Sequence, residues 1–184
     1  MAEHFSGSNF VQRNLTGMVK SIAVFGVNRT YGSVLAKKLA AHSFRILVLS
    51  EEMDGYPSLF LDYPDADIQI LNCSVQTGWE ADIIVMHVSA ENQLKLVNSI
   101  REFVTKKIVL NISEFRKEDS MNDDIDIESL LPYSRLINLS FIESNLGQLL
   151  FSISGRDRDA LEETEAILKQ AGFANVPYEL SESN

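Results

Sequence analysis

Residues 20–52, KSIAVFGVNRTYGSVLAKKLAAHSFRILVLSEE, constrain the fold more than any other stretch. From Ile22 to Phe25 the chain is apolar without interruption, the pattern of a strand buried on both faces of a parallel sheet. Gly26 ends the run. Thr30 is suited to cap a helix, and Val34, Leu35, Lys38 and Leu39 follow at helical spacing. Residues 44–49 read as a second apolar strand, with Glu51 and Glu52 directly after it. A glycine turn between strand and helix gathers backbone N–H groups and the positive helix end at one point, where anions bind. The usual anion is a dinucleotide pyrophosphate, and an acidic residue about 20 positions further on can accept hydrogen bonds from a ribose 2′-OH.

The turn itself reads Gly26-Val27-Asn28-Arg29-Thr30-Tyr31-Gly32. A full fingerprint is G-x-G-x-x-G. Here the first and last glycines sit where a longer variant, G-G-x-G-x-x-G, has them, and Val27 and Arg29 replace the middle ones. The middle glycine normally lets the pyrophosphate approach the backbone, whereas Arg29 brings a bulky side chain. Three readings stay open. The turn binds a dinucleotide; or it is an ordinary strand–helix corner beside an empty crevice; or Arg29 itself contacts a phosphate, since guanidinium matches phosphate oxygens.

The length of 184 residues fits one domain of doubly wound type. A net charge of −10 argues against a nucleic-acid role, which needs clustered Lys and Arg. Cys73 is the single cysteine, so no intrachain disulfide framework is expected. No apolar run approaches a membrane span and the N-terminus lacks a signal-peptide core, so a cytoplasmic protein is expected.

Along the chain, residues 1–19 read as a surface-lying or poorly ordered arm, which Phe5, Phe10 and Leu15 can pin to the domain or to a second subunit. Further strands are expected at 67–71, 82–88, 107–112, 135–141, 148–154 and 174–179. Residues 73–80 read as a turn-like approach. Helices are expected at 91–104, with Leu94, Leu96, Val97 and Ile100 facing inward, at 127–131, and at 157–170, with Leu161, Ala166, Ile167 and Leu168 inward and Gly172 as C-terminal cap. Residues 20–180 thus predict a single α/β domain with a doubly wound, mostly parallel, Rossmann-like sheet, and 181–184 a polar tail. Ligands of such sheets bind beyond the carboxyl ends of the strands, which singles out 26–32, 50–52, 87–91, 111–114 and 138–145.

The order of these segments resembles the nucleotide-binding domain of prephenate and arogenate dehydrogenases. Residues 26–32 stand for that family's G-G-x-G-x-M-G turn, and His87-Val88-Ser89-Ala90 for its S-V-P-I strand end. Asn111-Ile112-Ser113-Glu114-Phe115-Arg116 stands for D-L-x-S-V-K, Asn138-Leu139-Ser140-Phe141 for H-P-M-F, and Ile153-Ser154-Gly155-Arg156 for C-D-G-R. The related domain of deazaflavin-dependent NADP reductases is similar as far as Ile112. The resemblance implies NAD or NADP across the first turn, held by Gly26, Asn28, Arg29, Thr30, Tyr31, Gly32, Ser50, Glu51 and Ser89. Glu51 and Glu52 suit the ribose of NAD better than the 2′-phosphate of NADP.

The chain also departs from that family. The H-P-M-F histidine serves as base or acceptor for the substrate hydroxyl, but Asn138 stands there, and a neutral amide takes no proton at pH 7. No counterpart of the family's C-terminal helical domain is expected here. His87, however, falls where the family has serine. His87 and Asn138 are therefore the candidate catalytic pair, with the histidine displaced to a neighbouring strand end and hydrogen-bonded to Asn138; the alternative is a buried His87 satisfied by backbone. Two functions follow: an NAD(P)-linked oxidoreductase acting on a small molecule and completed by a second subunit or partner chain, or a binding or regulatory module that kept the fold without the chemistry. Asp119, Asp123, Asp124 and Asp126 lack calcium-loop spacing and read as a solvated loop, so no metal is expected. Cys73 reads as buried or idle, Trp79 as a packing residue, and His4 and His42 as surface residues.

Overall fold

The computed structural model describes residues 20–50, 61–113 and 126–176. The arm 1–19, Glu51 and Glu52, the acidic stretch up to Asp124 and the end of the last predicted strand lie outside them.

The apolar runs form the middle of the sheet. β1 (Ser21–Phe25) and β4 (Ile83–Met86) are buried at every position, and β2 (Arg45–Leu49) and β5 (Ile108–Ile112) nearly so. Runs rich in Ile, Val and Leu suit strands covered on both faces. Fully burying a side chain such as Phe25 contributes about 1.5–3 kcal/mol relative to exposure. With β3 (Ile68–Leu71), β6 (Arg135–Glu143), β7 (Leu149–Gly155) and β8 (Ala174–Asn175) they make one eight-stranded sheet in the order β3-β2-β1-β4-β5-β6-β7-β8. All neighbours are parallel except β6 and β7, which are antiparallel. Strand order reverses between β1 and β4, and that is where ligands of open parallel sheets sit.

Helices cover the two faces unequally. α1 (Thr30–Ala41) and α5 (Arg158–Gln170) pack on one face over Val24, Val85, Leu139 and Phe151. α3 (Ala90–Ile100) and α4 (Ile127–Leu130) pack on the other over Phe25, Met86 and Val109. Gly172 closes α5 as expected: its φ is +79, its N–H donates to Lys169 O, and Phe173 N–H donates to Leu168 O. That double bond is the glycine-closed helix end. Asp157 caps the start of α5 through Ala160 N–H (2.8 Å) and accepts a bidentate pair from Arg135 (2.8 and 3.1 Å). The guanidinium holds the Asp157 carboxyl down to about 2.

Several expectations need correction. Residues 73–80 are not a turn: α2 (Ser74–Glu80) is a helix, capped by Cys73 Sγ, which accepts from Gln76 N–H, while Thr77 Oγ1 donates to Cys73 O (2.9 Å). Gly78 obscures this helix in the sequence; it packs closely on α3, where an added Cβ would lie 3.1 Å from Ile100 Cγ2 and need that side chain to shift by a few tenths of an ångström. Cys73 is exposed. Trp79 is 66 % exposed because α2 turns Thr77 and Gly78 inward, and Leu94 lies on the outer side of α3. Ala166 is also exposed, its inward place on α5 being taken by Ala160 and Thr164.

Candidate functional site

The corner after β1 is built on contact between three backbones. Gly26 has φ +89, and a Cβ on it would lie 1.9 Å from His87 O. A Cβ on Gly32 would lie 2.1 Å from Gly26 O. Both glycines are therefore fixed by how tightly β1, α1 and the end of β4 meet. Arg29 N–H donates to Gly26 O (3.0 Å) and closes the turn, and Ser33 N–H donates to Arg29 O (2.8 Å) as α1 begins. Arg29, not Thr30, is thus the N-cap residue, in extended conformation and without a side-chain cap bond. Thr30 is the first helical residue. Asn28 and Thr30 are exposed, Arg29 and Tyr31 half-buried. Val27 is fully buried among the core residues under α1, so its side chain leaves the outer surface of the turn open.

His87 sits beneath this corner, 1 % exposed. Its Nδ1 accepts the Gly32 N–H at 3.1 Å, which fixes the neutral tautomer with its proton on Nε2. The ring lies 5.7 Å from that of Tyr31, which stacks on Phe141 at 5.3 Å; Phe141 meets Phe173 at 5.2 Å, and Lys38 Nζ lies 4.9 Å over Phe173. An aromatic row therefore runs under the first turns of α1, and Tyr31 belongs to it.

The predicted bond between His87 and Asn138 is replaced by two others. His87 faces α1, while Asn138 faces the α3 side, where Asn111 Nδ2 donates to its Oδ1 at 3.3 Å. Gln93 Nε2, from α3, donates to Asn111 Oδ1 at 3.1 Å. Ser113 and Ser140 share a hydrogen bond at 3.1 Å one step further along the strands. Asn111 and Asn138 stand among the strand-end positions the sequence singles out; Gln93 does not, because only the register Asn111↔Asn138 brings it into the group. Ser89 is the N-cap residue of α3, its carbonyl accepting from Asn92 and Gln93 N–H (both 2.9 Å). Ser50 is half-buried just beyond β2, and Glu51 follows it outside the described residues.

The donor set at the corner suits a diphosphate. The α1 N-terminus brings its positive dipole end to the switch point beside Asn28, Arg29 and Thr30, while the Arg29, Gly32 and Ser33 N–H groups donate within the corner.

No protein-family model and no curated protein sequence matches the chain. Solved structures do. A pyrroline carboxylate reductase from Plasmodium falciparum with NADP bound matches at TM-score 0.61 and 14 % identity, over 88 % of this chain and 58 % of that one. The pyrroline-5-carboxylate reductase of Coxiella burnetii matches at TM-score 0.65 and 15 % identity, over 88 % and 60 %. The N-terminal domain of HmdIII from Methanocaldococcus jannaschii matches at TM-score 0.62 and 14 % identity, over 88 % of this chain and the whole of that one. The chain spans about three fifths of the length of the two reductases. These likenesses define the fold: a Rossmann-like α/β domain with a mostly parallel sheet of eight strands. Among the described residues no helix is long and apolar enough to cross a membrane.

Proposed function

We propose that the chain is a nicotinamide-dinucleotide-binding domain of the oxidoreductase type, its diphosphate seated on the N-terminal turn of α1. One observation carries this reading: a left-handed Gly26 and a helix N-terminus meet at the strand-order reversal, with Asn28 and Thr30 exposed on the turn. The NADP and NAD+ held by several structures of the same fold support it. Asn28, Thr30 and the α1 backbone would hold the diphosphate, with the Arg29 guanidinium in place of the missing glycine's close backbone approach. Ser50 and Glu51 would take the adenosine ribose, Glu51 favouring NAD, and Ser89 the far side of the crevice. Bound there, the cofactor supplies hydride transfer. His87 holds the turn through Gly32, and Asn138 orients a small-molecule substrate.

In this reading the prephenate-dehydrogenase-like order of motifs reflects kinship of the cofactor half, and a second subunit or a partner chain in the cytoplasm completes the substrate site. A second reading, a binding or regulatory module without turnover, is favoured by two features: the His87 Nδ1 is engaged inside the fold, and Asn138 cannot take a proton. Thermal unfolding with NAD, NADH, NADP and NADPH in turn tests the first reading. A nucleotide at 100 times its dissociation constant adds about 2.7 kcal/mol of stability. The absence of a shift with all four would refute dinucleotide binding, and a shift without hydride transfer to any carbonyl or imine acceptor would favour the second.

A further inference from the structure

Met86, Asn111, Asn138 and Ser154 lie in one row across β4, β5, β6 and β7, level with the end of β4. The amides in this row have a direction. Asn111 Oδ1 receives the Gln93 N–H, which leaves Asn111 its amino group, and that group donates to Asn138 Oδ1. The Asn138 carbonyl oxygen is thereby turned inward. What an exposed Asn138 presents outward is its amino group, two donors and no acceptor. Donation along such a chain polarises each successive amide, strengthening the last donor. Ser154 opposite Asn138, and Ser140 and Ser152 beyond, are hydroxyls that either donate or accept and impose no preference. These side chains in the row are uncharged at neutral pH, so the row recognises rather than transfers protons.

We propose that Gln93, Asn111 and Asn138 form a relay that makes the β6 side of the crevice a subsite for a hydrogen-bond acceptor, a carboxylate or carbonyl oxygen of the second ligand. Neighbouring strands lie about 4.8 Å apart, so β6 is roughly 10 Å from β4, two strands out from the switch point. The proposal rests on the dinucleotide reading only in calling this ligand the second one. Asn138 is the contacting residue and Gln93 a positioning residue. Gln93→Glu separates that role from plain packing. A carboxylate at that position accepts only, so Asn111 must turn its amino group to it, Asn138 must turn in response, and an oxygen faces outward.

The test follows the Asn138 side-chain amide signals of the ¹⁵N-labelled full chain, identified by their loss in Asn138→Ala, with acetate and methylammonium as probes. Acetate is expected to move those signals in the unaltered chain and methylammonium to leave them in place. Asn138→Ala should weaken acetate binding, read from the neighbouring Ser154 amide, by roughly 10- to 150-fold, the usual cost of a hydrogen bond to a charged group. Gln93→Glu should reverse the preference. Methylammonium moving the signals of the unaltered chain, neither probe moving them, or Gln93→Glu leaving the preference as it was would overturn the relay. NADPH is read separately at Asn28 and Thr30: silence there with an intact acetate response refutes the cofactor and leaves the subsite standing.

Discussion

Replacing Gly32 with alanine sets two effects of opposite sign against each other. Gly32 is the third residue of α1, where alanine is the better helix former by about 1 kcal/mol. Against this, the new Cβ would lie 2.1 Å from Gly26 O and 2.9 Å from Gly26 C, both backbone atoms that cannot swing aside. Reaching ordinary contact needs the start of α1 to retreat by roughly 1 Å or more. That movement stretches the Gly32 N–H bond to His87 Nδ1, now 3.1 Å, past hydrogen-bonding range and leaves a buried donor unsatisfied. Overpacking costs about 1–3 kcal/mol and the lost bond about 1–3 kcal/mol more. The net expectation is a destabilisation of about 1–5 kcal/mol, read as a lower urea midpoint at unchanged slope. A midpoint equal to or above that of the parent would refute the account of this corner, because helix propensity would then have decided the outcome.

Three further substitutions probe the same physics. His87→Phe keeps the contact with Tyr31 but removes the acceptor, so about 1–3 kcal/mol should be lost and the Gly32 amide should exchange faster with solvent; unchanged exchange would contradict the assignment. Ser43 ends α1 with φ 62 and is exposed, so Ser43→Gly should raise stability by about 0.5–1 kcal/mol in chemical unfolding, and a loss would count against strain at that position. The Asp157 carboxyl lies at about 2 in the folded chain against 3.8 ordinarily, so its contribution is complete above 3.8 and disappears as pH falls towards about 2. Asp157→Asn should flatten that part of an acid-unfolding profile, and a profile as steep as the parent's would show that other groups set it.

The middle of the sheet was legible because β1, β2, β4 and β5 are short runs rich in Ile, Val and Leu, interrupted only by Ser21, Arg45 and Asn111, as burial on both faces requires. α2 was not, because its seven residues contain Gly78 and expose Val75 and Trp79, so the apolar residues mark its outer side. The corner was legible as a glycine turn, but the reason for its glycines was not. Gly26 and Gly32 answer to His87 O and Gly26 O, contacts across 61 and 6 residues that no local pattern displays. The same holds for His87, whose partner is a backbone N–H 55 positions away, and for Gln93, which joins Asn111 and Asn138 only through strand register. The two glycines that survive are thus those the fold itself demands; of the two replaced, Val27 is buried in the core and Arg29 lies half-buried on the turn.

The bond from Gly32 to His87 also has a kinetic consequence. It clamps the helix start to the end of β4, so a nucleotide bound as proposed would need little ordering of this corner. Nucleotides differing by one phosphate or one base would then be captured at similar speeds and told apart by how long they stay.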